Sequence, residues 1–278
     1  MVQPFLSKPL SETIGTTLVI AYKESTTQLE KCLNQEGLFC QVLRQVHRPE
    51  YKNYAAIYLC FLNHFEAWKI AAQSTRPSLV VEADFVPVLG MGKLPFPLEP
   101  ERSDAGFAWL YTCAPQIYSV SAQGYAVGFS SAAVAYVLTS SAAQALLDFA
   151  QTIIAQADPT QYINWDSFVE EFLRERGFRC YVPFRNYGEH GGKPNPEHKR
   201  AGLGTHRADV LFGDLAFRPF YAEGDPHELI WKARLTARLK GLVRLLTGKY
   251  LRWKVLLSSN TPWRMLSFAI CRHFTLRL

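Results

Sequence analysis

Leu79-Val80-Val81-Glu82-Ala83-Asp84-Phe85-Val86-Pro87-Val88 begins as a strand rich in β-branched residues and gives way abruptly to acids. The run is short and apolar, as expected for a strand buried on both faces of an α/β sheet. On an extended backbone Glu82 and Asp84, two residues apart, project to one face. Acids at the carboxyl end of a buried strand lie where open α/β sheets bind ligands. Their hard oxygens suit Mg²⁺ or Mn²⁺, which could bridge a diphosphate. The plainer reading is an acidic strand end that is solvated or caps a turn.

The flanking segments supply the rest of an α/β pattern. Thr16 to Tyr22 (TTLVIAY) reads as a first buried strand. A helix over roughly Thr26 to Asn34, then Gly37 and a strand over Phe39 to Val46, complete a βαβ unit. Tyr54 to Gln73 reads as a longer helix, with Cys60, His64, Ala67, Trp68 and Ala71 on one stripe. Downstream, the pattern predicts a surface loop over Gly90 to Gly106 and strands at Gly106 to Thr112 and Ala132 to Leu138. A helix follows, opened by the capping-box spacing of Ser141 and Gln144. A further helix from Asp166 to about Arg176, a strand at Cys180 to Pro183 and a polar loop from Asn186 to His206 complete the body.

Composition narrows the class. The net charge is +6, but the last 48 residues hold 11 Lys/Arg and no Asp or Glu, leaving 19 basic and 24 acidic groups, net −5, in residues 1–230. That split excludes a uniformly basic nucleic-acid-binding domain. The six cysteines include no CxxC pair, so reduced thiols are expected rather than a zinc or redox centre. No signal or transit peptide is apparent, which points to a cytoplasmic protein. The 43 residues from Ala105 to Leu147 carry no formal charge, but polar residues interrupt every membrane-length window. They read as the buried centre of a soluble fold.

Three blocks in order resemble glycosyltransferase family 25, the lipopolysaccharide-biosynthesis glycosyltransferases. Cys60-Phe61-Leu62-Asn63-His64 with Trp68 is similar to the family's Cys-x-x-Ser-His-x-x-x-Trp helix. LVVEAD is similar to its apolar strand ending in Glu-Asp-Asp. Gly124 to Leu147, with Asn164-Trp165-Asp166 after it, is similar to its small-residue strand, Ala-x-x-Leu-Leu helix and following aspartate. Ala83 replaces one acid of the family's pair, and Asn63 replaces its serine.

The resemblance implies an α/β, GT-A-type, Rossmann-like domain over residues 1–222 that transfers a hexose, galactose or glucose, from a UDP-sugar to a lipopolysaccharide-type or lipid-linked saccharide. It implies a divalent cation, Mn²⁺ or Mg²⁺, on Asp84 and Glu82, with a late histidine, His206 in preference to His190, as a further ligand. Tyr22, Lys23 and Glu24 would lie at the nucleotide base and ribose, or form an ordinary polar turn. Asn63 and His64 would contact the donor, although a histidine on that stripe is equally a hydrogen-bonded core residue. Asp166 would be the base of an inverting displacement, or simply cap its helix. The missing acid at Ala83 keeps open a degenerate module that binds sugar nucleotide or a membrane surface without turnover.

Residues 223–278 read as a basic amphipathic helical segment. Trp231, Leu235, Leu239, Leu242 and Leu246 form one stripe, with Arg234, Arg238, Lys240 and Arg244 on the other side. Either the stripe meets an anionic membrane, making the protein peripheral on its inner face, or it packs on the body with the arginines in water.

Overall fold

The computed structural model describes residues 7–193, 206–224 and 226–274. In chain order these form α1 (Leu10–Thr13), β1 (Thr16–Ala21), α2 (Thr27–Gln35), β2 (Cys40–Arg44), α3 (Ala56–Ala72), β3 (Ser78–Glu82) and β4 (Phe85–Pro87). There follow β5 (Ala105–Trp109), β6 (Gln116–Val120), β7 (Ala126–Phe129), β8 (Ala135–Leu138), α4 (Ser140–Gln156), α5 (Val169–Glu175), β9 (Arg179–Val182) and β10 (Gly188–His190). Three helices end the chain: α6 (Pro226–Leu246), α7 (Trp253–Ser258) and α8 (Pro262–His273).

Eight strands form one mixed sheet in the order β2-β1-β3-β8-β5-β9-β7-β6, while β4 and β10 pair separately. β1 runs parallel to β2 and to β3, and β5 runs parallel to β9. The remaining neighbours are antiparallel. The architecture is thus α/β with a helical C-terminal segment. Strand alternation divides the core: Leu18, Ile20 and Val80 pack with Phe61 and Trp68 of α3, whereas Val19, Leu79 and Val81 pack with Leu29 and Leu33 of α2. Both faces of β1 and β3 are covered, which is why they read as unbroken apolar runs.

The expected strand over Leu79 to Val88 is two strands. Ala83 and Asp84 form a turn, and Ala83 N–H donates to Ile20 O at 2.9 Å. β4 then leaves the main sheet and pairs with β10, where Pro87, lacking an N–H, is tolerated. α4 starts earlier than its capping-box spacing predicts, because Thr139 Oγ1 accepts from Ala142 N–H at 3.3 Å. The expected helix from Asp166 opens as a 3₁₀ turn, Trp165–Phe168, before α5. β6 has no counterpart in the sequence pattern, and the expected helical segment 223–278 is divided into α6, α7 and α8. Residues 194–205 of the expected Asn186 to His206 loop lie outside the described residues.

The C-terminal helices pack on the body with their charge turned inward. Arg234 Nη1 donates to Glu189 Oε2 at 3.1 Å, and Arg272 grips Asp209 through both terminal nitrogens, Nη2 to Oδ1 at 2.8 Å. Tyr250, Leu256, Met265 and Phe268 join the same core as Phe61 and Trp68. The packed arrangement expected for α6 does not form, because Arg234 and Arg238 are buried while Trp231, Leu235, Leu239 and Leu246 of the apolar stripe are exposed. The physical reason lies in the body. Glu189 is buried and Asp209 nearly so, and an enclosed carboxylate without a cation costs more than leucines left in water.

His273 sits in the same knot. Its Nδ1 lies 2.8 Å from the Ala269 carbonyl, which only accepts, so Nδ1 carries the proton and Nε2 faces Arg272 Nη1 at 3.4 Å. Burial, then the Arg272 charge, push its pKa down to about 4. Burial alone would raise Asp209, but Arg272, followed by His273 and the Val210 N–H, hold it at about 2. Acidification should therefore destabilise the fold in two stages. Between the unfolded value of 6.5 and about 4, the unfolded chain takes up the His273 proton and the fold does not. Between 3.8 and about 2 the same holds for Asp209. Urea unfolding at pH 7 and pH 5 should show about 2 kcal/mol of loss from His273, and His273→Gln should remove that component.

Candidate functional site

The connection from β1 goes to β2 on one side, and the next goes to β3 on the other, so the chain reverses its direction of travel between β1 and β3. A crevice opens at such a switch point, outside the carboxyl ends of the strands. The pairing of Ile20 with Glu82 and of Ala21 with Arg44 brings three strand ends together. Tyr22, Lys23 and Glu24 follow β1, Arg44 ends β2, and Glu82 and Asp84 follow β3. Arg44 fixes the first loop by donating to Tyr22 O at 3.3 Å, Glu24 O at 3.0 Å and Thr26 Oγ1 at 2.9 Å. Glu24 Oε2 accepts from Tyr22 N–H at 2.7 Å, and Lys23 Nζ lies 4.8 Å from the centroid of the exposed Tyr22 ring.

Glu82 is held from below by α3. Trp68 Nε1, a donor only, donates to Tyr136 Oη at 2.8 Å. Tyr136 therefore gives its own proton to His64 Nδ1 at 2.8 Å, and His64 Nε2–H faces Glu82 Oε1 at 3.3 Å. Cys60 Sγ reaches the same oxygen at 3.5 Å. The stripe of Cys60, His64 and Trp68, at successive four-residue steps, is thus a hydrogen-bonded relay serving one carboxylate. Burial pushes the Cys60 thiol well up, and Glu82 adds to the shift, so the thiol stays protonated. His64 has no exposed surface, and its Nε2 faces Glu82. Asn63, also buried, donates to Ala21 O at 3.1 Å and ties α3 to the end of β1.

Asp84 turns toward β10. Its Oδ2 lies 3.1 Å from His190 Nε2, while its Oδ1 is buried without a hydrogen-bond partner among the described residues. Burial pushes Asp84 up, but His190 and then Arg207 outweigh it and hold the carboxyl below its usual range. Burial opposes charge on His190 too, and Asp84 overcomes it to raise the imidazole. The two form an ion pair in the metal-free chain. Arg207 braces the loop by donating to His190 O at 2.6 Å and Gly192 O at 2.8 Å. Gly192 lies so close to Asp84 Oδ2 that a Cβ there would collide with it.

Donor atoms of Glu82, Asp84 and His190 lie within 4.8 Å of one another, close enough to be drawn onto one cation. Two carboxylates, one with an orphaned oxygen, and one imidazole fit Mn²⁺ or Mg²⁺. The histidine that joins the acids is His190, not the expected His206, which instead lines a separate cavity. The β4–β10 pairing of Phe85 with His190 places it there, and no sequence signal announces that pairing. Arg44 likewise carries no signal in the sequence that marks it for the site. Asp166 belongs to the neighbourhood: burial, then the negative charge of Glu82, push its carboxyl up to about 7. Its side chain does not cap the helix at Asn164, where no side-chain cap bond forms.

No family model matches the chain, and no curated protein matches it in sequence. Among solved structures it is similar to a glycosyltransferase involved in glycosylation of the major capsid of PBCV-1, with 10% identity, 61% of this chain and 83% of that chain covered, and a TM-score of 0.41. It is similar to the CTP:phosphocholine cytidylyltransferase of Streptococcus pneumoniae, with 12% identity, coverage of 60% and 88%, and a TM-score of 0.36. A mutant Drosophila galactosyltransferase in complex with manganese, UDP-Gal and xylobiose gives 11% identity, coverage of 66% and 74%, and a TM-score of 0.34.

Calorimetric titration of the chain with Mn²⁺ discriminates the two histidines. His190→Ala should weaken binding roughly tenfold or more, while His206→Ala should leave it unchanged. Because His190 must lose its proton to ligate, affinity should rise with pH through its raised pKa.

Proposed function

We propose that this chain is a metal-assisted glycosyltransferase that moves a hexose, galactose or glucose, from a UDP-sugar to a lipopolysaccharide-type or lipid-linked saccharide. One observation carries the reading: Glu82, Asp84 and His190 converge at the sheet's switch point beside a carboxyl, Asp166, whose pKa is about 7. Two acids in one crevice are thereby set to different tasks, one group holding charge and the other exchanging a proton.

A divalent cation held by Glu82, Asp84 and His190 would supply positive charge against the departing diphosphate. The chain's own residues do the rest. Tyr22, Lys23 and Glu24, on a loop fixed by Arg44, offer a ring, an ammonium and a carboxylate for the base and ribose. The relay from Trp68 through Tyr136 and His64 keeps Glu82 oriented. Asp166 is close to half-ionised at neutral pH and takes the proton of the acceptor hydroxyl as its oxygen bonds to the anomeric carbon. The bond from that carbon to the diphosphate breaks in the same displacement, which gives inversion.

Ala83 bears on the alternative, a module that binds without turnover. It is 6% exposed, so an acid there would be buried, and His190 offers a third donor from another strand. Screening nucleotide sugars for Mn²⁺-dependent hydrolysis tests the proposal. UDP-galactose or UDP-glucose should be consumed, and Asp84→Asn should lower the rate at least ~100-fold with the unfolding midpoint preserved. Asp166→Asn should lose the acidic limb of the pH profile. Tight UDP binding without turnover of any donor would favour the alternative.

A further inference from the structure

α6 presents its apolar side to solvent. Trp231, Leu235, Leu239, Val243 and Leu246 are each more than half exposed, whereas Arg234 and Arg238 are 7% and 8% exposed. At 100° per residue the five apolar positions fall within about 120° of arc and run along about 22 Å of helix. Trp253 and Leu257 of α7 and Trp263 of α8 are also more than half exposed. The exposed charges nearby have one sign: Lys232, Lys240, Lys249, Arg252, Lys254 and Arg264, with no Asp or Glu after Glu228.

We infer that this face docks on an anionic lipid bilayer, its leucines and tryptophans entering the interface and its lysines and arginines meeting the headgroup phosphates. Charge selects the occupant. A second copy would set six exposed cations against six, while anionic headgroups complement them. Indole rings favour the boundary between headgroup and acyl chain. The remainder of the chain, net −5 over residues 1–230, is repelled by the same surface, which orients the protein with the C-terminal helices down. No helix among the described residues is long and apolar enough to cross a membrane, so the contact is one of a helix lying in the interface.

The ridge also borders a cavity. Leu239 and Val243 line a space of about 890 Å³ whose wall includes Arg207, the residue that braces His190. A bilayer against the ridge therefore lies beside a cavity whose wall includes the arginine that braces His190. On the transferase reading, which this consequence alone rests on, the acceptor is delivered from the lipid surface.

Flotation of the full chain with vesicles tests the docking independently of any activity. The chain should float with vesicles of phosphatidylcholine and phosphatidylglycerol, fail to float with phosphatidylcholine alone, and be released by high salt. Replacing Trp231, Leu235 and Leu246 together by serine should reduce the bound fraction roughly tenfold or more, with the unfolding midpoint and the hydrolysis of soluble UDP-sugar unchanged. Lys249→Gln, Arg252→Gln and Lys254→Gln together should weaken binding and its salt dependence. Failure of the native chain to float, equal flotation of the serine variant, or a dimer that the serine variant abolishes in a chain that never floats would overturn the inference. Loss of turnover with flotation intact would overturn the transferase reading and leave the docking standing.

Discussion

The ion pair between Glu189 and Arg234 joins the two halves of the molecule. Glu189 has no exposed surface, and its Oε1 accepts from the N–H groups of His190 and Ala208, each at 2.9 Å. Its Oε2 accepts from Arg234 at 3.1 Å, and that same arginine donates to Ala208 O at 2.8 Å. Burial pushes the carboxyl up, and Arg234 is the largest influence opposing it. One side of the pair fixes the backbone of β10, and with it the height at which His190 meets Asp84. The other fixes the rotation of α6. Removing either partner would strand a charge in the interior, at a cost of about 3–5 kcal/mol.

The same requirement, that buried polar groups be partnered, explains the site's lower half. Glu82 ends a strand whose preceding residues are entirely enclosed, so its carboxylate emerges beside α3 rather than in water. There it meets His64 and Cys60, and the proton assignments propagate back to Trp68 without ambiguity, because an indole nitrogen only donates. Asp84 lies in the turn and retains one buried oxygen with no partner among the described residues. That inequality between neighbours is the structural signature of a ligand site: one carboxylate is saturated by donors on its inner side, and the other is held open.

Much of this frame is legible in the sequence. The βαβ opening, α3, α4, β9 and the acids after β3 follow from period and from the apolar-to-acidic boundary, since each depends on neighbours within a few residues. What is not legible depends on pairing across distance. The break at Ala83 and Asp84 is invisible because Phe85, Val86 and Pro87 continue the apolar run, although they pair with β10 a hundred residues away. His190 rather than His206 follows from that pairing alone. The stripe of Cys60, His64 and Trp68 was visible as a stripe, but its purpose required Tyr136, supplied by β8.

The C-terminal helices show why an amphipathic wheel does not by itself say which side faces in. Periodicity separates leucines from arginines on α6, and the usual inference buries the leucines. Here the body decides otherwise, because Glu189 is buried and Asp209 nearly so, and their demand for a cation exceeds the gain from covering a few leucines. Asp209 takes Arg272 and Glu189 takes Arg234, and the helix is turned accordingly. The basic excess of residues 231–278 thus divides into two populations. Three arginines are withdrawn into the body, Arg234 and Arg272 as counter-charges to Glu189 and Asp209, and Arg238 against the His273 carbonyl. Lys232, Lys240, Lys249, Arg252, Lys254 and Arg264 stay outside, beside apolar side chains that the inward turn of the arginines has left uncovered. The acids that organise the interior are therefore also what sets the chemistry of the outer face.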